Sequence, residues 1–278
     1  VGEYLGIKDF ETVCYYFIAH MDESFDDRRK AIIAKHTPLT VDDLNLGAFD
    51  VDLFRSAYQA VSPKEFDMFY DAAKYITNGI KHTRARKYAD AALGRIDIRE
   101  TKQKIIEKRN KDLLMAYAII PLQSDDDLCQ RYLYIQKFRK ESKQFGSQRA
   151  LSESKAAEMA LTNLAVNAGY ADTMRLTLRM EVKVIDDNQA LFKEQMIEGV
   201  SIKIVLDDSG KASLVCVKNG KRLNNVPAAL KKHKFIVQMT AFTTPRAPTL
   251  RCVTHKGMLF FWLRSMATLF SATKRRLL

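Results

Sequence analysis

Val200 to Leu223 constrains the fold more than any other stretch of this chain. It reads VSIKIVL, DDSGK, ASLVCV, KNGK and RL, two apolar runs of period two punctuated by turn residues, and this predicts a three-stranded antiparallel meander. With Asp207 to Lys211 as the first loop, Ile204 lies opposite Leu214 and Ile202 opposite Cys216, while an Asn219-Gly220 turn sets Cys216 opposite Leu223. Both turns place Ile202, Ile204, Leu206, Leu214, Cys216 and Leu223 on one face and Lys203, Ser213 and Arg222 on the other. Turn chemistry and hydrophobic pattern therefore select the same register. A sheet this small needs helices on its apolar face.

Residues 1–168 supply helical patterns in series. Asp9 is placed to cap a helix carrying Phe10, Val13, Cys14, Phe17 and Ile18, which ends near His20. A second runs from about Phe25 to Ala34, and Pro38 with the polar VDDLNLG stretch breaks the chain before Asp50 caps the next. Ser62-Pro63-Lys64-Glu65 combines an N-cap, a first-turn proline and a capping-box glutamate, ahead of Phe66, Phe69, Tyr70, Ala73 and Ile76. Helices follow at about His82–Leu93, Asp97–Ile119, Ser124–Phe145 and Arg149–Ala168. Short connections imply antiparallel neighbours, so the expected fold is mainly α: an irregular helical-repeat array of HEAT or armadillo type, followed by the meander. Asp172–Asp186 alternates strictly between apolar and polar residues, as a strand would. Its Met, Leu, Arg, Glu and Lys content and the cap at Asp172 favour helix, continued through Asn188–Met196. The expected divisions are a helical array at 1–168, an α+β segment at 169–230 and a basic tail at 231–278.

Net charge is +12, yet the last 48 residues hold ten Lys or Arg and no acid, leaving 35 basic and 33 acidic residues in 1–230. A phosphate-binding surface spread over the body is therefore not expected. Cys14, Cys129, Cys216 and Cys252 form no CxxC pair and no ligand spacing, which fits a reduced, cytoplasmic setting. The chain opens on VGEYLGIKDF without an initiator Met or an apolar leader, as expected of a piece of a longer chain. The tail is expected to be poorly packed or out of frame with the ancestral fold, in preference to a basic appendage on a membrane surface. Its apolar run Met258–Phe270 is too short to span a bilayer and contains Arg264.

The strings GEYLGI, KYADAALG, KRNKDLLMAYAIIPL, FRKESKQFGSQR, NLAVNAGYADTMRLTLRMEVK and KNGKRLNNVPAALKK resemble the middle of large bacterial proteins of the molybdate-metabolism-regulator-like (MolR-like) family. Over about residues 1–235 the resemblance implies a helical-repeat segment upstream of a C-terminal domain of unknown function. It transfers no catalytic residue. After Lys234 the chain departs from that pattern.

Chemistry-bearing motifs are sparse. The five histidines are far apart and lack HExxH or Cys/His spacing, Asp125–Asp127 lacks the alternation of a calcium loop, and no GxGxxG, GxxxxGK[ST] or GxSxG string occurs. No catalytic, metal or cofactor residue is assigned. Two basic clusters could receive an anionic partner: Lys81, Arg84, Arg86 and Lys87 in KHTRARK, and the stripe Arg175, Arg179, Lys183. The competing expectation for each is a solvated face neutralised by nearby acids. The aromatics Tyr15, Tyr16, Phe17, Phe66, Phe69 and Tyr70 fall at core spacings and are read as packing. The leading expectation is a non-enzymatic scaffold binding a protein or intramolecular domain. The alternatives are a nucleic-acid-associated regulator and a non-catalytic part of an enzyme.

Overall fold

A computed structural model of the chain describes residues 2–7, 9–22, 26–77, 79–206 and 212–243. Local signals start most of its helices. After α1 (Gly2–Leu5) and α2 (Phe10–Ala19), the Asp26 side chain accepts the Arg29 N–H and caps α3 (Asp27–Ile33). A reciprocal Thr40/Asp43 capping box starts α4 (Val41–Leu46), in the stretch expected to be a break. Asp50 caps α5 (Val51–Gln59) through the Asp52 and Leu53 N–H groups, and the Ser62/Glu65 box opens α6 (Pro63–Ala72), as expected. Asp9 does not cap α2. Its backbone sits in the left-handed region at φ 55° and its side chain makes no cap bond.

The expected single helix from Asp97 to Ile119 is two. After α7 (Thr83–Ala92), α8 (Ile98–Lys108) ends at Arg109, left-handed at φ 47°, and Asn110 then caps α9 (Lys111–Ile119) by accepting the Leu113 N–H at 2.9 Å. Asn110 competes for backbone donors inside a run of otherwise helical periodicity, and the tertiary bonds of Arg109 described below fix the break. Three aspartates sit at the positive end of α10 (Asp125–Ser142), which precedes α11 (Ser147–Asn167) and α12 (Thr173–Asp187). The ambiguous segment at 172–186 is thus helical.

The chain divides into two compact units, Val1–Met180 and Glu181–Leu278. In the first, α9 is the central rod: every residue from Leu114 to Ile119 is buried, and it packs on α7, α8 and α11. A helix apolar all round has no face for water. A second cluster joins α2, α5 and α6, where Tyr16, Phe17 and Phe66 are almost fully buried and the Tyr16 and Phe54 rings meet edge to face at 5.3 Å.

Gly47, which ends α4 at φ +100°, lies where these groups meet. A Cβ there would run into Met115 Sδ, and would stand 2.8 Å from Met115 Cε and 2.9 Å from Tyr88 Oη. Gly47→Ala is expected to cost about 2 kcal/mol through overpacking and the left-handed backbone. A shortened Met115 should restore part of that, measurable as a non-additive double-mutant cycle in urea.

The second unit carries α13 (Gln189–Phe192) and an antiparallel sheet of order β1 (Gln195–Ile197), β2 (Val200–Leu206), β3 (Ala212–Lys218), β4 (Lys221–Leu223). The register is the expected one, with Ile202 opposite Cys216, Ile204 opposite Leu214 and Cys216 opposite Leu223. Asn219 and Gly220 both have positive φ, as a two-residue hairpin turn requires. The sheet has four strands, not three. Glu198 (φ 49°) and Gly199 (φ 75°) make a second such turn, which folds 195–197 back onto β2 and cuts the expected helix through Met196 to the one turn of α13.

The apolar sheet face is covered by Leu191, Leu230, Ile236 and Met239. The last two belong to α14 (Lys234–Thr243), so this part of the segment expected to be a poorly packed tail is a helix buried on the sheet, where Ile236 and Met239 three residues apart face one way. The expected loop at 207–211 and the rest of the expected tail from 244 onward, including Cys252 and the run Met258–Phe270, lie outside the described residues.

Candidate functional site

Residues 44–50, which lead from α4 to α5, are held by buried polar side chains from distant helices as well as by local backbone bonds. Arg84 on α7, 2 % exposed, donates to the carbonyls of His20 (3.2 Å), Met21, Leu44 (3.2 Å) and Asn45 (3.2 Å) and to Asp22 Oδ1 (3.1 Å). One guanidinium thus satisfies the open carbonyl ends of α2 and α4 together. Tyr88, one turn further along α7, donates its hydroxyl to the Gly47 carbonyl at 2.8 Å. Asn163 of α11 donates to that same carbonyl at 3.1 Å and accepts the Phe49 N–H at 2.9 Å.

His20 Nε2 accepts the Asp50 N–H at 3.0 Å, which leaves Nδ1 to carry the proton that it gives the Tyr16 carbonyl at 2.8 Å. Burial holds this imidazole neutral, lowering its pKa to about 4 against the pull of the Tyr16 hydrogen bond and Asp50. Burial likewise pushes the Tyr16 and Tyr88 hydroxyls well above their ordinary range. Asp50, the acid of the group, accepts from Asp52, Leu53 and Thr37 Oγ1. Acid, base and cation converge here, and each is bonded to backbone or to a cap.

Beside this hub the break between α8 and α9 opens a polar cleft of about 400 Å³, lined by Asp22, Asn45, Arg84, Lys111, Ser152 and Lys155 among others. Arg109 fixes the break. Its guanidinium lies 2.7 and 3.0 Å from Glu153 Oε2, 3.2 Å from Glu141 Oε2 and 3.0 Å from the Phe138 carbonyl, and 4.0 Å from the Phe138 ring centre. Burial works against charge on both partners, but the hydrogen bonds and opposite charges around them, from Glu153 and Glu141 on Arg109 and from Arg109 and Arg149 on Glu153, together outweigh it, holding the Arg109 pKa above and the Glu153 carboxyl below their ordinary values. A third arginine repeats the device: Arg131, fully buried, donates to the Tyr117, Ile120 and Pro121 carbonyls at the end of α9 and pairs with Asp127 at 2.6 Å.

On the other side of Arg109 a groove of about 410 Å³ runs between α8 and α10. Ile105, Tyr134 and Phe138 form its floor, Ile106 (56 % exposed) and Leu133 (37 %) stand open on it, and Lys102 and Lys137 rim it. Further large apolar side chains are exposed in the segment after the start of α6: Met68, Tyr75, Ile76 and Ile80.

The seven cationic residues singled out in the sequence do not form one surface. Arg84 points inward, Arg86 stacks 4.2 Å over the Tyr70 ring and pairs with Asp71 at 3.6 Å, and Lys87 pairs with Asp112 at 3.7 Å. The Lys81 carbonyl accepts the Asp22 N–H at 3.0 Å. On α12, Arg175 pairs with Asp172 (2.8 Å), Arg179 with Asp125 (3.6 Å) and Lys183 with Asp187 (3.3 Å). Sequence reasoning missed Arg109, Arg131 and Asn163. Arg109 and Arg131 each neighbour apolar positions at helical spacing, which was the available signal.

Among the described residues no group of three His, Cys, Asp or Glu side chains is placed to hold a metal ion, and no helix is long and apolar enough to cross a membrane. Residues 1–180 match a family model described as a family of unknown function (DUF5724), the same bounds as the first compact unit. No curated protein and no solved structure matches the chain.

Proposed function

The chain belongs to that family of unknown function, and from this premise we propose that it is a helical interaction segment of a larger bacterial protein of MolR-like type. In this reading its first unit is an irregular HEAT- or armadillo-like array that binds a protein segment, either in another molecule or elsewhere in its own polypeptide. The observation that carries the reading is the division of labour among side chains. The buried groups His20, Asp50, Arg84 and Arg131 are bonded to helix ends and caps and buried Glu153 to two arginines, whereas large apolar side chains such as Ile106, Tyr75 and Ile80 stand in water. Exposed apolar surface rimmed by polar residues marks protein contacts, and stacked helices present such surfaces along their grooves. The string resemblance to MolR-like proteins supports the same reading.

In-cell cross-linking of the protein tagged at its own locus tests it. Lysines of the first unit are expected to link to a polypeptide segment outside 1–243, in another protein or in the same chain. Links confined to pairs within 1–243 would sink the proposal.

A further inference from the structure

We propose that the polar cleft beside the α8–α9 break binds a small phosphate monoester with a hydroxylated body, of the polyol or sugar phosphate class. This goes beyond the interaction reading and does not depend on it. The cleft lies wholly within the unit Val1–Met180, and its volume of about 400 Å³ is that of a small-ligand site.

Most of the charge in its lining is met inside the protein. Asp22 pairs with Arg84 at 3.1 Å, Asp112 with Lys87 at 3.7 Å, and Arg109 with Glu153 and Glu141. Lys111 and Lys155 are left over. Both are exposed, and neither makes an ion pair among the described residues. Lys111, at the start of α9, donates to the Ser152 hydroxyl oxygen on α11 at 2.9 Å, and Lys155 follows one turn along the same side of α11. Having accepted from Lys111, the Ser152 hydroxyl keeps its own proton to donate.

A phosphate monoester carries nearly two negative charges at pH 7 and three acceptor oxygens, so it matches two ammonium groups and a hydroxyl. A carboxylate would leave one ammonium unmatched. The remaining lining selects the body of the ligand. Asp22, Asn45 and Asp112 offer acceptors to hydroxyl groups, whereas a second anionic group would meet two carboxylates. A diphosphate or dicarboxylate is therefore disfavoured.

Isothermal titration of the full chain with inorganic phosphate, glycerol 3-phosphate and glucose 6-phosphate reads this out. At least one ester is expected to bind about tenfold more tightly than inorganic phosphate, because its hydroxyls reach acceptors that the bare ion does not. A Lys111→Gln, Lys155→Gln variant should weaken both kinds of ligand by about tenfold or more. A Lys35→Gln, Lys143→Gln variant removes the same charge from exposed positions outside the cleft and should bind as the native chain does. Circular dichroism and the thermal midpoint should be unchanged in both. Should the first variant lose stability, Lys155→Gln alone carries the test, since that side chain makes no hydrogen bond or ion pair among the described residues.

The proposal fails if neither ester exceeds inorganic phosphate, if the cleft substitutions leave binding intact, or if the remote pair weakens it as much. It also fails if a random single-stranded oligonucleotide or an anionic phospholipid vesicle displaces the esters at lower phosphate concentration. The two lysines would then belong to an open surface and not to a cleft.

Discussion

Arg84→Met removes on the order of 4 kcal/mol of stability from the helical unit, because four backbone carbonyls and Asp22 lose a charged donor in a site that methionine keeps dry. Methionine approximates the volume of the arginine stem, so the loss reports hydrogen bonding more than cavity formation. Arg84→Lys is expected to recover little. An ammonium is a single point with three donors, and it cannot span the ends of α2 and α4 with the fork that the guanidinium uses. Urea unfolding followed by helical circular dichroism measures both variants, and hydrogen exchange should show the loss first at the ends of α2 and α4. A cost below about 1 kcal/mol for Arg84→Met would mean that water reaches those carbonyls, and the hub would not be the organising contact described.

Arg84 also shows where the sequence was legible and where it was not. In KHTRARK it reads as one cation among four, and its inward direction depends on two helix ends that lie about 40 and 60 residues upstream. Yet Tyr88 four residues on, with Ala85 and Ala89 beside it, marks that side of α7 as buried, and an arginine on a buried face implies waiting carbonyls. The same holds for Arg131, whose neighbours Leu128, Tyr132 and Ile135 are core residues.

Elements fixed by local chemistry were readable in detail. The Ser62 capping box, the Asn219-Gly220 turn and the sheet register each depend on residues within a few positions of one another. The missed features are those in which two local signals compete. Thr40-Val41-Asp42-Asp43 is a capping box inside a stretch polar enough to look like a loop, Glu198-Gly199 is a hairpin turn without the usual Asn or Asp, and Asn110 is an N-cap in the middle of a helical run. At Arg109, distant acids decide the outcome: Glu141 and Glu153 hold a left-handed arginine that local propensity would have kept helical. The groove and cleft follow from that break, so neither could be drawn from the sequence.

Between pH 6.5 and about 4 the stability of the helical unit is expected to fall by about 3 kcal/mol on account of His20 alone. The folded chain keeps this imidazole neutral because it is buried and because its Nε2 must accept the Asp50 N–H. The unfolded chain takes up a proton as pH drops through the ordinary histidine range. Below 6.5 the unfolded state therefore binds more protons than the folded one, and stability declines with falling pH until the buried ring is itself protonated near 4.

Above 6.5 the ring is neutral in both states and contributes no slope. Protonation of the buried ring would put an N–H against the Asp50 N–H, breaking the bond that orders the start of α5. Urea midpoints measured across this range for the native chain and for His20→Gln isolate the effect: carboxylates titrate in both proteins, so the difference in slope belongs to His20. The absolute stability of His20→Gln is immaterial, since only its pH dependence is compared. Parallel curves would show that His20 titrates freely in the folded protein, and with that the dry, interlocked hub at residues 44–50 would have to be abandoned.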